Sequence, residues 1–208
     1  MTGYAWTAAA LLLSYVLGSV PTGLWLGRWL RGIDIREHGS KNIGATNTLR
    51  VLGKGLGAAA LAGDMMKGLV AALVLSKLSP WPYAALACGV AAILGHLASV
   101  FLKFKGGKGV ATSAGVFLAI SPLPTLIAVA VFAVVVKISR TVSLGSILAA
   151  VALVIAAFAL PHEIATAPSH LLPNDWTLRI VVAVLAFLVI VKHRANIVRL
   201  AQGKENKF

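Results

Sequence analysis

Apolar segments long enough to cross a lipid bilayer recur along the whole of this 208-residue chain. A membrane span needs about 20 mostly apolar residues, and a helix satisfies its backbone hydrogen bonds within that length. Hydrophobic residues make up 59% of the chain and charged residues only 12%. The segments cover residues 4–27, 55–78, 83–102, 110–136, 141–160 and 178–191. Because they are not confined to the start of the chain, a signal peptide does not explain them, and we predict an all-α, polytopic membrane helix bundle.

The longest segment, residues 110–136, carries Ser-Pro-Leu-Pro at its middle, at positions 121–124. Each proline removes a helix hydrogen bond and restricts the residue before it. We therefore predict a break there, with a short hairpin of two helices, which brings the total to seven transmembrane segments. The sequence shows no repeat of fixed period and no linker, so we expect a single domain over residues 1–208.

The distribution of basic residues predicts the orientation, since Lys and Arg in short loops stay in the cytoplasm. With seven segments, 16 of the 19 Lys and Arg residues share one side of the membrane. They lie at residues 28–54, 103–108, 137–140 and 192–207. A single helix over residues 110–136 would move the last two groups to the other side. We therefore expect the N-terminus outside and the C-terminus in the cytoplasm.

The formal net charge is +13, so the surface that meets water should attract anions such as phosphorylated metabolites or anionic lipids. Nucleic acid is not expected as a partner, because the chain has no recognisable nucleic-acid-binding module. Cys88 is the single cysteine, which excludes a disulfide within the chain and a cysteine-ligated metal site.

Three polar blocks fall on the predicted cytoplasmic face. The first motif, residues 39–50 (GSKNIGATNTLR), is dense in hydroxyl and amide side chains that hydrogen-bond phosphate oxygens. The second motif, residues 101–112 (FLKFKGGKGVAT), combines three lysines with three glycines, which let backbone N–H groups approach an anion closely. It is not a Walker loop, and by itself it is also typical of a positive-inside anchor.

The third motif, residues 192–205 (KHRANIVRLAQGKE), places His193 and Asn196 on one helix face, with Arg199 on a neighbouring part of that surface. Taken alone, it is also typical of a juxtamembrane helix that binds anionic lipid. Asp64 and Lys67, three residues apart inside a span, form either a structural pair that braces the first motif or a direct contact to substrate.

Together these motifs resemble the acyl-phosphate:glycerol-3-phosphate acyltransferase family of bacterial membranes, the PlsY family. The resemblance rests on SKNIGATN at residues 40–47, on the lysine and glycine block at 103–112 preceded by Gly95 and His96, and on HRANIVRL at 193–200 followed by Gly203 and Glu205. Residues 18–23 and 63–68 match as well, so the likeness covers essentially the whole chain.

The resemblance implies transfer of a fatty acyl group from acyl phosphate to the 1-hydroxyl of glycerol 3-phosphate, giving lysophosphatidic acid and phosphate for phospholipid biosynthesis. It implies no acyl-CoA or acyl-carrier protein, no cofactor, no metal and no covalent intermediate. The location would be the bacterial cytoplasmic (inner) membrane, with the active site on the cytoplasmic face. We expect a monomer that works in membrane lipid, beside the enzymes that supply acyl phosphate and that acylate the product.

The expected catalytic residues are His193 and Asn196, with His193 as base unless a substrate phosphate takes the proton. Residues expected to bind substrate are Ser40, Lys41, Asn42, Thr46, Asn47, Arg50, Lys103, Gly106, Gly107, Lys108, Gly109, Ser146 and Arg199. His96, Asp64, Lys67 and Glu205 are expected to support them. Ser143 is interpreted as a helix cap.

Three other interpretations are weaker. A transporter of phosphate or a phosphorylated metabolite should show an inverted repeat and midplane polar groups, which the sequence lacks. A non-catalytic lipid-binding protein leaves the Ser, Asn and Thr of the first motif unexplained. His170 and Asp175 show the His-x4-Asp spacing of another acyltransferase class, but they lie on the predicted outer face, and we regard the match as coincidental.

Overall fold

Helices are the regular elements of this protein in its computed structural model, which describes residues 2–166 and 175–207. No strand occurs within those residues, so the all-α prediction is confirmed. His170 lies outside the described residues. The helices are α1 (Thr2–Ser19), α2 (Thr22–Arg31), α3 (Ala45–Leu52), α4 (Lys54–Leu73), α5 (Ala84–Leu97), α6 (Val110–Ile120), α7 (Pro122–Ser139), α8 (Val142–Ala159), α9 (His162–Ala165), α10 (Asp175–Lys192) and α11 (Arg194–Ala201), with 3-10 turns at Leu75–Leu78 and Val100–Leu102.

The chain divides into two units, the first formed by Met1–Ala119 and the second by Ile120–Phe208. The first unit holds the first and second motifs, and the second unit holds the third. The expectation of a single domain over residues 1–208 stays a prediction.

Within the described residues, four helical segments are long and apolar enough to cross a membrane: Lys54–Leu78, Ala84–Leu102, Pro122–Ser139 and Val142–Ala159. Two bent helix pairs raise this number to six if each pair is one span. They are Gly3–Ser19 with Thr22–Arg31, bent by 49°, and Trp176–Lys192 with Arg194–Ala201, bent by 58°. Helix α6 is apolar but has only 11 residues. The chain is therefore a multi-pass membrane protein, while seven spans and the sides of the termini stay predictions.

The predicted break at residues 121–124 is confirmed. Helix α6 ends at Ile120, and α7 begins at Pro122. Proline is tolerated in the first turn of a helix, because the N–H groups there have no hydrogen-bond partner within the helix. Ser121 between them donates its hydroxyl to the carbonyl of Ala165 at 2.7 Å, so the break is held by a side-chain hydrogen bond.

The first apolar segment, residues 4–27, is divided between two helices, a break that the sequence analysis did not predict. Pro21 has no N–H to continue the hydrogen-bond ladder, so α1 stops at Ser19, and α2 leaves at an angle. Residues 32–54, predicted only as polar, contain helix α3, whose close neighbour is α2. Gly23 of α2 permits this approach, because a Cβ there would overlap the hydroxyl of Thr48.

Small residues bring the helices of the first unit close together, as is common between membrane helices. A Cβ on Gly18 of α1 would overlap the backbone of Ala92 in α5, and one on Gly95 of α5 would overlap the carbonyl of Tyr15. The Tyr15 hydroxyl also donates to the carbonyl of Ala98 at 2.6 Å. These contacts fix the end of α5, which carries His96 and leads into the second motif.

The second unit uses the same kind of contact between α7 and α8. A Cβ on Gly145 of α8 would overlap the side chain of Val136 and crowd Phe132, both in α7. Helix α10 packs on α8, where Arg179 lies over the rings of Phe158 and Trp176 at 5.7 and 5.5 Å from their centroids. Helix α8 is thus held between two neighbours and presents its first turn to the third motif.

We predict that Gly95→Ala lowers the thermal stability of the purified protein, because its methyl group forces α1 and α5 apart. The loss should be about 1–3 kcal/mol, as for overpacked interiors. Gly55→Ala is the matched control, since a Cβ on Gly55 in α4 meets nothing within 4 Å. Equal melting temperatures for the two variants in detergent would contradict the proposed contact.

Candidate functional site

The loop of the first motif is organised around one buried amide, that of Asn47 in α3, which is 1% exposed. Its Nδ2 donates to the carbonyls of Ile35 and Asn42, each at 2.8 Å, and of His38 at 3.2 Å. Its Oδ1 accepts the backbone N–H of Ser40 at 2.8 Å. A single side chain therefore sets the path of the whole loop and the position of Ser40.

The remaining predicted residues of the first motif lie around this framework. Lys41 is exposed, with a left-handed backbone at φ 57°. The Oδ1 of Asn42 accepts the N–H of Gly44 at 2.9 Å, which shapes the turn into α3. Thr46 lies half-buried in the first turn of α3, and Arg50 lies exposed in its last turn.

A pocket of about 400 Å³ opens beside Arg50 and is lined by Ile33, His38, Gly39, Arg50 and Val51. A carboxylate that the sequence analysis did not single out stabilises the loop next to it. Asp34 bonds Arg28 at 2.7 Å and Arg36 at 2.6 Å. The hydrogen bonds from Arg36 hold the pKa of the Asp34 carboxyl far below its ordinary value, so it stays ionised. The sequence could have indicated Asp34, because it is an acid that lies between two arginines in the chain.

An apolar cluster connects the first motif with the second. Leu24, Ile35 and Ile43 are buried, and Leu102 at the start of the second motif packs against them. The two motifs therefore share one core within the first unit, while their place on a cytoplasmic face stays a prediction.

The second motif folds back on the end of α5. The N–H groups of Gly106 and Gly107 donate to the carbonyls of Leu97 and His96 at 3.2 and 3.0 Å. These donors are therefore occupied within the protein, and the expectation that Gly106 and Gly107 bind substrate stays a prediction. Gly109 adopts φ 80°, a conformation that glycine reaches without strain.

The close approach explains why glycine is needed in this loop. A Cβ on Gly106 would overlap the carbonyl oxygen of His96, and one on Gly107 would overlap its Nε2. Lys103 is exposed, whereas Lys108 is half-buried. The glycines therefore shape the loop by packing, and the lysine side chains provide its charge.

A buried polar cluster lies below the second motif. Lys67 Nζ is 2.8 Å from Asp64 Oδ1 and donates to the Val20 carbonyl at 3.0 Å. Thr22 donates its hydroxyl to Asp64 Oδ1 at 3.0 Å, and His96 Nδ1 lies 3.8 Å from the same oxygen. The pair thus contacts the break between α1 and α2 and the base of the second motif, so the supporting role expected for Asp64, Lys67 and His96 has a structural basis.

Glu205 is the centre of the third motif in the second unit. Its Oε1 accepts hydrogen bonds from Asn196 Nδ2 at 2.6 Å and from the Ser143 hydroxyl at 3.0 Å. Its Oε2 accepts one from Arg199 Nε at 2.7 Å. Burial alone would raise the pKa of Glu205, but these hydrogen bonds outweigh it and the pKa is lowered. Glu205 therefore orients the arginine and asparagine of this motif.

Two serines of α8 were singled out by the sequence, and the interpretation of Ser143 as a helix cap was wrong. Ser143 does not cap α8, because Thr141 occupies the cap position and the helix begins at Val142. It donates to Glu205 instead, a contact across 62 residues that no local pattern indicates. Ser146 bonds the carbonyl of Val142 one turn back at 2.9 Å, as serine commonly does in apolar helices.

His193 lies at the bend between α10 and α11 and is 2% exposed. Its Nδ1 lies 2.8 Å from the carbonyl of Val189, an oxygen that only accepts. This contact places the proton on Nδ1 and leaves a lone pair on Nε2, the tautomer that a general base uses.

The comparisons with known proteins agree on one family. The family model for glycerol-3-phosphate acyltransferase matches residues 8–203. A glycerol-3-phosphate acyltransferase of Geobacter sulfurreducens is 50% identical over 199 residues, covering 94% of each chain. One of Trichlorobacter lovleyi is 47% identical over 206 residues, covering 99% of this chain and 97% of the relative.

Two crystal structures of PlsY (YgiH), an integral membrane glycerol 3-phosphate acyltransferase, are similar in fold. The glycerol 3-phosphate form has a TM-score of 0.84 at 35% identity, and the lysophosphatidic acid form 0.81 at 34%. Each likeness covers 97% of this chain and 95% of the other.

We predict that Asn47→Ala destabilises the protein by roughly 2–4 kcal/mol, because it leaves several backbone groups of the loop without their partner. Asn42→Ala is the matched control, since it removes one side-chain bond, to Gly44. The comparison is made by thermal unfolding and by proteolysis of residues 32–44. If the loop resists proteolysis equally in both variants, Asn47 does not determine its conformation.

We also predict that acid destabilises the third motif through Glu205. Because its pKa is lower in the folded state, its contribution to stability is present above the ordinary carboxyl range and is lost as the pH falls through the lowered value. Melting temperatures measured from roughly pH 7 to pH 3 should fall less steeply for Glu205→Gln than for the parent. The exposed Glu163 gives the control substitution, Glu163→Gln, which should retain the parent profile.

Proposed function

Since the chain belongs to the glycerol-3-phosphate acyltransferase family, we propose that it transfers a fatty acyl group from acyl phosphate to the 1-hydroxyl of glycerol 3-phosphate. The protein is an integral membrane acyltransferase enzyme. The products would be lysophosphatidic acid and inorganic phosphate, the first step of phospholipid assembly.

One observation carries the proposal at the level of the site: Asn47 locks the loop of the first motif with four hydrogen bonds. A topological anchor needs positive charge but does not need a fixed conformation. A loop that must hold a phosphate between Ser40 and Arg50 needs positive charge and a fixed conformation, because recognition depends on placed donors as well as charge.

The chemistry suits residues that bind and position. Acyl phosphate is a mixed anhydride, so the attacking hydroxyl adds to the carbonyl carbon, and the tetrahedral intermediate collapses by breaking the bond to phosphate. The hydroxyl proton leaves to a base, and no enzyme nucleophile takes part. The protein has to orient two anions, stabilise the oxyanion and accept that proton.

We assign phosphate recognition in the first unit to Ser40, Arg50 and Lys108. Gly106, Gly107 and Gly109 shape the loop that carries Lys108, and Lys103 adds positive charge. Lys41, Asn42 and Thr46 flank the phosphate that is held between Ser40 and Arg50. Asn47 becomes a positioning residue rather than a ligand, because both ends of its amide are used by the loop.

In the second unit we assign the base to His193, with its Nε2 as proton acceptor. The phosphate of a bound substrate is the alternative acceptor. Asn196 and Arg199 donate to substrate oxygens with the N–H groups that do not contact Glu205. Ser146 would serve as an additional donor by turning its hydroxyl from the Val142 carbonyl to the substrate. Glu205 orients this set and does not touch substrate.

We further propose seven spans, an external N-terminus and an active site on the cytoplasmic face of the bacterial inner membrane. The positive charge of the loops supports this orientation. The enzyme would act as a monomer within membrane lipid, next to the enzyme that makes acyl phosphate and the one that acylates lysophosphatidic acid.

The function is tested with purified protein, acyl phosphate and radiolabelled glycerol 3-phosphate, with acyl-CoA as the control donor. We expect lysophosphatidic acid from acyl phosphate and none from acyl-CoA. Product from acyl-CoA alone would overturn the donor assignment. Absence of product from both would favour transport of a phosphorylated metabolite, which uptake into proteoliposomes would then reveal.

We predict that Arg50→Ala and His193→Ala each lower kcat/KM by about 100-fold or more, because one loses a charged phosphate contact and the other the base. Lys77→Gln, in the 3-10 turn after α4, is the charge-removing control and should keep parental activity. The melting temperature of each variant is measured in parallel. If both arginine and histidine variants turn over normally, the site assignment is wrong.

A further inference from the structure

A buried line of contacts runs from α4 to the glycine loop of the second motif. Asp64, Lys67 and His96 are 2%, 4% and 5% exposed. An ion pair in such a place is expensive to desolvate, and replacing it with apolar residues often raises stability. The pair is therefore poorly explained by stability alone.

His96 connects the pair with the loop through opposite edges of its ring. On one edge, Nδ1 lies 3.8 Å from Asp64 Oδ1, too far for a hydrogen bond but close enough for the charge of the carboxylate to act on the ring. On the other, Nε2 packs against the Cα of Gly107, where no Cβ would fit. The His96 carbonyl also accepts the N–H of Gly107 at 3.0 Å. A shift of the imidazole therefore moves the loop that carries Lys108.

The opposite end of this line is fixed. Lys67 donates to the Val20 carbonyl at 3.0 Å, and Thr22 donates to Asp64 Oδ1 at 3.0 Å. Both partners come from the break between α1 and α2. The carboxylate is thus held from one side by the break and presents Oδ1 to His96 from a defined position.

We propose that Asp64 and Lys67 are positioning residues for the second motif: acting through His96, they hold Gly106 and Gly107 in the conformation that places Lys108 against a substrate phosphate. They do not touch substrate. The role of the loop in this statement rests on the proposed function. A pair that only braces the break between α1 and α2 is the competing explanation.

Three variants separate these explanations. Asp64→Asn removes the charge that acts both on the break between α1 and α2 and on His96. His96→Asn keeps a polar group near the position of Nδ1 and removes the ring edge that packs on Gly107, so it cuts only the link to the loop. Thr22→Val removes one contact on the side of the break and leaves the link to the loop in place.

Steady-state kinetics on the full-length protein give the first measurement. We expect Asp64→Asn and His96→Asn each to raise roughly tenfold the KM for the same one of the two phosphate substrates, the one that Lys108 contacts, since displaced positioning groups weaken binding. The KM for the other phosphate substrate should change less than about twofold. Because both residues act along one line, the double variant should be no worse than the more damaged single variant. Thr22→Val should lower the melting temperature with an unchanged KM.

Hydrogen exchange of the substrate-free protein gives a second measurement that does not depend on activity. The amides of Gly106 and Gly107 should exchange faster in Asp64→Asn than in the parent and at parental rates in Glu163→Gln. If Asp64→Asn does not purify, Asp64→Leu with Lys67→Met removes both charges together and takes its place.

Three results would overturn the proposal: additive effects of Asp64→Asn and His96→Asn, equal rises in both KM values, or a lower melting temperature with parental kinetics and parental exchange. A parent protein that makes no lysophosphatidic acid would instead refute the proposed function. The exchange measurement would still decide whether Asp64 controls the loop.

Discussion

A proline inside a buried helix leaves carbonyl oxygens without helical donors, and in a membrane protein those oxygens must be satisfied by the rest of the fold. Pro21 creates this situation between α1 and α2. The Ser19 carbonyl accepts the hydroxyl of Ser99 at 2.5 Å, and the Val20 carbonyl accepts Lys67 Nζ at 3.0 Å. Both donors adjoin the second motif, Ser99 in sequence and Lys67 through Asp64 and His96. The carbonyl oxygens at the break between α1 and α2 thus receive hydrogen bonds from residues that support the second motif.

Carboxylates are scarce in this chain, with 6 Asp and Glu against 19 Lys and Arg, and three of them organise cationic groups of the polar motifs. Asp34 holds two arginines beside the first motif, Asp64 holds Lys67 under the second, and Glu205 holds Arg199 in the third. Basic side chains that bind anions repel one another, so a single acid in each group fixes their geometry while leaving a net positive field. This arrangement suits an enzyme whose proposed substrates are both phosphates.

Packing, rather than exposed backbone donors, explains the glycines of the second motif. A loop rich in glycine and lysine suggests N–H groups that point at an anion, but those of Gly106 and Gly107 close the end of α5. Their missing side chains allow the loop to lie directly on His96. The physical reason for glycine here is close approach between protein segments, which leaves the lysine side chains as the proposed anion-binding groups.

The sequence by itself determined the membrane helices, the break at residues 121–124 and the family, because hydrophobic length, proline chemistry and motif order are local properties. It also singled out Asp64 and Lys67, since charges inside a span are rare enough to stand out. Only the tertiary structure decided which contacts they make, that Asn47 serves the loop, and that Ser143 joins Glu205. These outcomes depend on partners that are 5 to 62 residues away in the chain. A hydrogen bond between distant segments leaves no periodic trace in a sequence, whereas the geometry of the folded chain defines it directly.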